Sequence, residues 1–116
     1  MLLLPANRGG WRRHEFTLRV ARLPLAFRST LTALERYLRT ATLIRDDDIR
    51  LMLGRVVERF EQAAADGYSI TDVIGPDPVE FVDALCGRYI DGPGAPEMRR
   101  SLRDAVDLAR TAQGLQ

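Results

Sequence analysis

Lysine is absent from this chain, histidine and cysteine occur once each, and no apolar run approaches the length of a membrane span. Each scarcity closes off a class of function. With His14 alone, one chain cannot assemble a histidine-based metal cluster or a His-pair acid–base device. With Cys86 alone, no intramolecular disulfide forms, and its place in the apolar rhythm "FVDALCGRY" marks it as a small buried hydrophobe. The opening "MLLLPA" has no basic lead, long apolar centre or small-residue cleavage site, so a cytoplasmic protein in a reducing compartment is expected. That all seventeen basic residues are Arg fits codon composition as well as it fits a preference for planar, bidentate contacts.

What is present describes a soluble globular chain: 116 residues, 46% apolar and 28% charged, long enough for one core and too short for two ordinary domains. Residues 1–10, "MLLLPANRGG", are expected to be a flexible lead-in, punctuated by Pro5 and Gly9-Gly10, and residues 11–116 a single helical domain. The net charge of +1 hides a polarity. Residues 1–45 hold nine Arg against Glu15 and Glu35, residues 46–98 hold four Arg against twelve acids, and residues 99–116 hold four Arg against two acids. Such polarity fits a basic face for nucleic acid or an acidic partner, or basic helices lying beside acidic ones within or between copies.

Helical spacing dominates the pattern. Phe16, Val20 and Leu23 fit a helix over Trp11 to Leu23, although Phe16, Leu18 and Val20 also alternate as in a strand. Pro24 is expected in the first turn of the next helix, whose stripe is Phe27, Leu31, Leu34, Leu38 and Ala41. Asp46, Asp47 and Asp48 point about 100° apart if helical and cannot converge on one ion; they are expected to cap a helix carrying Ile49, Met52, Leu53, Val56, Val57, Phe60, Ala63 and Ala64. That helix should be the centre of the core, with Gly54 tolerated by close approach of another backbone. Pro78 to about Ile90 should bury Val79, Val82, Leu85, Cys86 and Tyr89, with Phe81 beside them. After the break "DGPGAP", a helix to about Thr111 should turn Met98, Leu102, Ala105, Val106 and Ala109 inward. The fold class is therefore all-α, a compact bundle of about five helices plus one short helical turn.

The stretch "EQAAADGYSITDVIGPDP" gathers acids, glycines, prolines and hydroxyls as a metal or phosphate loop would. Its order fits neither. A calcium loop needs acids at alternate positions with Gly sixth and Glu twelfth, and a phosphate loop needs clustered glycines before Lys-Ser/Thr. Each residue has a structural use instead: Gly67 ends a helix, Ser69 and Asp72 form a capping-box pair, Gly75 closes a short helix, and Asp77 caps one that begins at Pro78.

"RFEQAAADGYSITDVIG" followed by "PDPVEFVDAL", with Phe60, Glu61, Ala63, Ala64, Asp66, Gly67, Ser69, Val73, Gly75, Asp77, Phe81, Asp83 and Leu85, resembles the signature of a family of small bacterial helical proteins catalogued as a domain of unknown function. "RVARLPLAFRSTLTALERYL" resembles the same family at Leu23, Pro24, Tyr37 and Leu38, so the likeness spans roughly residues 19 to 90. Arg39 stands where the family usually has an aromatic, Pro76 where it has a residue such as Glu, and Pro78 where it has an apolar residue. The resemblance implies an all-helical cytoplasmic protein without established enzyme activity, frequently encoded beside PadR-type transcription regulators.

No constellation of residues supplies catalysis. A Cys86–His14 dyad would need a buried thiol to meet a solvated imidazole, and Glu58 and Glu61 read as helix-flank surface. No enzyme activity, cofactor or metal is therefore expected. The expected function is a non-catalytic helical interaction or accessory domain in transcriptional regulation or signalling, a homodimer that also meets a PadR-type regulator or another signalling protein. Trp11, Arg12, Arg13 and Phe16 are the candidate contacts, as aromatic and arginine anchors near a chain end, although Trp11 equally suits core packing. The alternative is nucleic-acid binding through Arg8, Arg12, Arg13, Arg19, Arg22, Arg28, Arg36 and Arg39; the acidic middle segment and the absence of a recognition helix, zinc module or aromatic platform oppose it.

Overall fold

Proline and glycine punctuate this chain where helices have to stop. The computed structural model describes residues 13–42, 44–86 and 96–114, and all six regular elements among them are α-helices. The first, α1 (Arg13–Ala21), closes with two tightened bonds, Arg22 N–H to the Arg19 carbonyl at 3.2 Å and Leu23 N–H to Val20 at 3.1 Å. Leu23 is buried and lies in the bend before Pro24, consistent with the disfavouring of helix at a residue that precedes proline. Pro24 does not sit inside the next helix as the sequence suggests. It flanks it with φ −54° and ψ 152°, and its carbonyl accepts from Arg28 N–H at 3.0 Å, so α2 (Leu25–Ala41) starts one residue later.

Thr42 ends α2 in an extended conformation, its hydroxyl donating to the Leu38 carbonyl at 2.5 Å and accepting from Ile44 N–H at 3.3 Å. Arg45 then flanks α3 (Asp46–Asp66), and no side chain caps that end. The three aspartates are therefore first-turn residues rather than caps, because the chain turns helical before them; their charge still lies at the positive end of the helix dipole. Gly67 terminates α3 at φ 81°, with Tyr68 N–H reaching back to the Ala63 carbonyl at 2.8 Å, a left-handed closure that residues with a Cβ resist.

The corner reads out as expected. Ser69 and Asp72 exchange side-chain-to-backbone bonds of 3.2 and 2.8 Å around α4 (Ile70–Ile74), and Gly75 closes it at φ 83°. Asp77 accepts from Val79 N–H at 3.0 Å at the start of α5 (Pro78–Cys86), with Pro78 in first position. Tyr89 lies outside the described residues. The last helix, α6 (Pro96–Gly114), runs three residues beyond the expected Thr111, and Gln113 in its final turn accepts from Ile70 N–H at 2.8 Å.

One apolar cluster joins the helices. Phe27 of α2 and Phe60 of α3 meet at its middle with ring centroids 5.0 Å apart and planes tilted by 55°, an arrangement worth about 1 kcal/mol beyond area burial. Leu31, Leu34 and Leu38 surround them from α2; Ile49, Leu53, Val56 and Val57 from α3; Ile70, Val82, Cys86, Leu102 and Val106 from the remaining helices. The centre of the bundle is α2 rather than α3, since α2 packs along α6 most extensively and on α3 next. Gly54 faces open space instead of a neighbouring backbone, and Met98 lies on the surface at 38% exposure rather than inward. Phe81 packs at the edge of the cluster under the Arg59 guanidinium, 5.6 Å from the ring centre, in a cation–π contact.

Candidate functional site

Two regions concentrate polar chemistry, and they are built differently. The corner from Asp66 to Asp77 is closed. Asp66 accepts from Gln62 at 2.9 Å, and Asp72 is engaged with Ser69. Asp77 receives both Nε and Nη2 of Arg103 at 3.1 Å. That paired guanidinium, together with the Val79 amide, holds the Asp77 carboxyl below the usual aspartate range against a smaller opposing effect of desolvation. Arg110 donates to the Gly75 carbonyl at 2.5 Å and to Pro76 at 3.3 Å. Three side chains of α6, Arg103, Arg110 and Gln113, thus lock a corner that is 26 to 43 residues away in sequence. Among the described residues, no three His, Cys, Asp or Glu side chains gather as a metal-binding group.

The second region is open. A groove of about 380 Å³ runs between α1, α2 and α3, with Phe16, Val20, Leu31 and Leu53 among its apolar lining. Thr17, Thr32, Glu35, Arg39 and Arg50 supply its polar lining. Helical repeat explains the set: Phe16 and Val20, then Leu31, Glu35 and Arg39, are four residues apart and share a face on their helices. Glu35 accepts from Arg39 Nε at 3.0 Å, and Arg39 also pairs with Asp46 across the α2–α3 junction. Those carboxylates raise the Arg39 pKa, the Glu35 hydrogen bond most.

Near the groove, α1 is pinned by Arg19, which meets Glu61 of α3 through two nitrogens, Nε at 3.0 Å and Nη2. The hydrogen bond to Glu61 is the main cause of the raised Arg19 pKa, opposed by desolvation. Glu61 is therefore a half-buried ion-pair partner and not simply solvated surface. Helices that carry the basic segment and helices that carry the acidic one lie side by side here, so part of the charge polarity is satisfied within the bundle.

Of the four expected contact residues, Phe16 lines the groove and packs against the core. Arg13 opens α1, while its side chain, Trp11 and Arg12 lie outside the described residues. The sequence reading missed Glu35, Arg39, Arg50 and Leu53 as groove residues. The Glu35–Arg39 pair was available from its i,i+4 spacing. Cys86 and His14 have opposite surroundings: the thiol is buried, and burial raises its pKa to about 11, with Asp83 adding to the shift, whereas His14 is exposed on α1. A thiol held so far above neutrality is a poor nucleophile.

These features define a class first: an all-α bundle with an internally hydrogen-bonded corner and an open amphipathic groove. The family model described as Protein of unknown function (DUF1048) matches residues 8–107, and the chain belongs to that family. The match is wider than the span from 19 to 90 that the sequence motifs suggest, taking in α1 and most of α6. No curated protein and no solved structure matches the chain. No helix among the described residues is long and apolar enough to cross a membrane.

Proposed function

We propose that the chain is a non-catalytic interaction domain of the bacterial cytoplasm, pairing with itself and with a transcriptional or signalling protein, a PadR-type regulator being the partner that the family resemblance suggests. The observation that carries this reading is the contrast between the two polar regions. The corner residues that could hold a ligand are engaged with α6 and with one another, whereas the α1–α2–α3 groove presents an apolar floor with a charged rim to the outside. Such a surface suits an amphipathic helix or peptide, whose apolar side chains fill the floor while its charges meet Glu35, Arg39 and Arg50.

Nucleic-acid binding is the alternative, and the internal pairing of Arg19 and Arg39 removes two cations from the proposed basic face. The test is affinity capture from native lysate with the wild-type chain and with Phe16→Glu, alongside a gel shift with generic duplex DNA. Capture of a regulator by wild type and its loss with Phe16→Glu, in a variant that retains its helical circular dichroism, is the expected result. A monomer that retards DNA, with retardation weakening steeply as salt rises, would replace this reading by the nucleic-acid one.

A further inference from the structure

Three of the five large hydrophobic residues most exposed among the described ones lie along one face: Leu25 at 58%, Met98 at 38% and Leu108 at 73%. That face is the seam between α2 and α6. At one end Leu25, Ala26 and Ser29 sit across from Ala105, Leu108, Ala109 and Ala112 around an apolar hollow of about 190 Å³. Toward the other end Ala33, Arg36 and Thr40 face Met98, Ser101 and Ala105. The small residues keep the seam shallow, and the exposed leucines rise at its margins.

We infer that the α2–α6 face is the surface through which two copies of this chain pair, with the twofold axis running along the seam. This rests on the reading of the chain as a self-pairing interaction domain and adds to it a surface and a symmetry. Charge placement selects a second copy as the occupant. The α2 margin carries Arg36, and the α6 margin carries Glu97 and Asp104; all three are exposed, and none forms an ion pair among the described residues. A twofold axis along the seam lays α2 of one copy over α6 of the other. Because α2 and α6 run antiparallel, with Leu25 beside Ala112 and Thr40 beside Met98, Arg36 then lies at the level of the partner copy's Ser101, between its Glu97 and Asp104, and Leu25 meets the end that carries Leu108. An axis across the seam would instead place α2 on α2 and lose that complementarity.

The size of the face sets the strength. Seventeen residues of α2 at about 1.5 Å each make a face about 25 Å long, and two helix diameters make it about 20 Å wide, so the pair buries on the order of 1,000 Å² in total. That is the lower end for a specific interface, so the dimer dissociates on dilution.

Sedimentation velocity across a dilution series of the full chain tests this. Wild type is expected to pass from dimer to monomer, and Leu108→Asp to shift that midpoint at least about tenfold toward monomer. Leu108 is mostly solvated, so the variant keeps the fold, which circular dichroism verifies. Arg36→Glu is expected to weaken pairing and Arg36→Glu with Asp104→Arg to recover part of it, while Leu18→Asp, at an exposed position on α1, which packs on α3, leaves it unchanged. A dimer indifferent to Leu108→Asp and to Arg36→Glu overturns the assigned surface while leaving self-pairing intact. A chain monomeric at every concentration overturns both, and leaves capture of a regulator through the Phe16 groove to be judged separately.

Discussion

The corner between α3 and α5 and the groove between α1, α2 and α3 contain similar kinds of residue, yet one is spent on structure and the other faces outward. In the corner every aspartate has a partner: Gln62 of α3 for Asp66, the Ser69 cap for Asp72, and Arg103 of α6 for Asp77. In the groove the Glu35–Arg39–Asp46 chain joins helix ends, while the apolar floor beside it has no helix laid over it among the described residues. The lesson is that polar composition does not mark a site. What distinguishes the two is whether a second helix arrives with side chains of matching reach.

The comparison can be broken at several strengths. The largest effect weakens the frame that holds both regions: Phe60→Ala removes the buried ring that meets Phe27 in the core and should cost about 3–5 kcal/mol, a large part of the roughly 5–15 kcal/mol usual for a folded domain. Urea unfolding would show it. Next, Arg110→Met takes the donor from the Gly75 and Pro76 carbonyls and should cost about 2 kcal/mol, with hydrogen exchange accelerating at the corner amides and remaining slow in α2. An equal acceleration throughout would mean that the corner is not a separate unit.

A smaller effect has a pH signature. Asp77 is held below its ordinary pKa of 3.8, so its pairing stabilises the fold above that value and the contribution is lost as pH falls through the depressed one. Asp77→Ala should therefore cost about 1 kcal/mol at neutral pH, through loss of the cap, with the difference from wild type shrinking below about pH 4. Thermal melts of both chains from pH 7 down to 3 measure it; a constant difference would contradict the assignment. The smallest effect has the opposite sign. Gly54 is one turn from Arg50 and a Cβ there meets nothing within 4 Å, so Gly54→Ala should stabilise α3 by about 0.5–1 kcal/mol without altering partner capture by the groove. A loss of stability would mean that a neighbour approaches more closely than the structure shows.

Much of this was legible in the residues because it is local. The stripe from Phe27 to Leu38 and that from Ile49 to Ala63 are buried as their spacing requires, and the Ser69–Asp72 box and the Gly67 closure form between residues at most five apart. The misplacements occur where local signals compete. Pro24 suits either the first turn or the residue before it, and three consecutive aspartates suit either a cap or a first turn. Met98 has the spacing of an inward residue, but it lies within the first turn of α6, where the helix has only begun to meet α2.

By itself the sequence determined an all-α fold, the helix stops at Gly67 and Gly75 and the identity of most core positions, since hydrogen bonds within a turn and the 3.6-residue repeat need no knowledge of distant chain. Only tertiary structure decided that α2 is the centre, that Arg19 meets Glu61 across 42 residues, and that α6 fastens the corner while Leu25 and Leu108 stay exposed along its seam with α2. A charged side chain reaches only a few ångströms beyond its own helix, so its partner is chosen by which helix faces are brought together, and that choice belongs to the packing of the whole core.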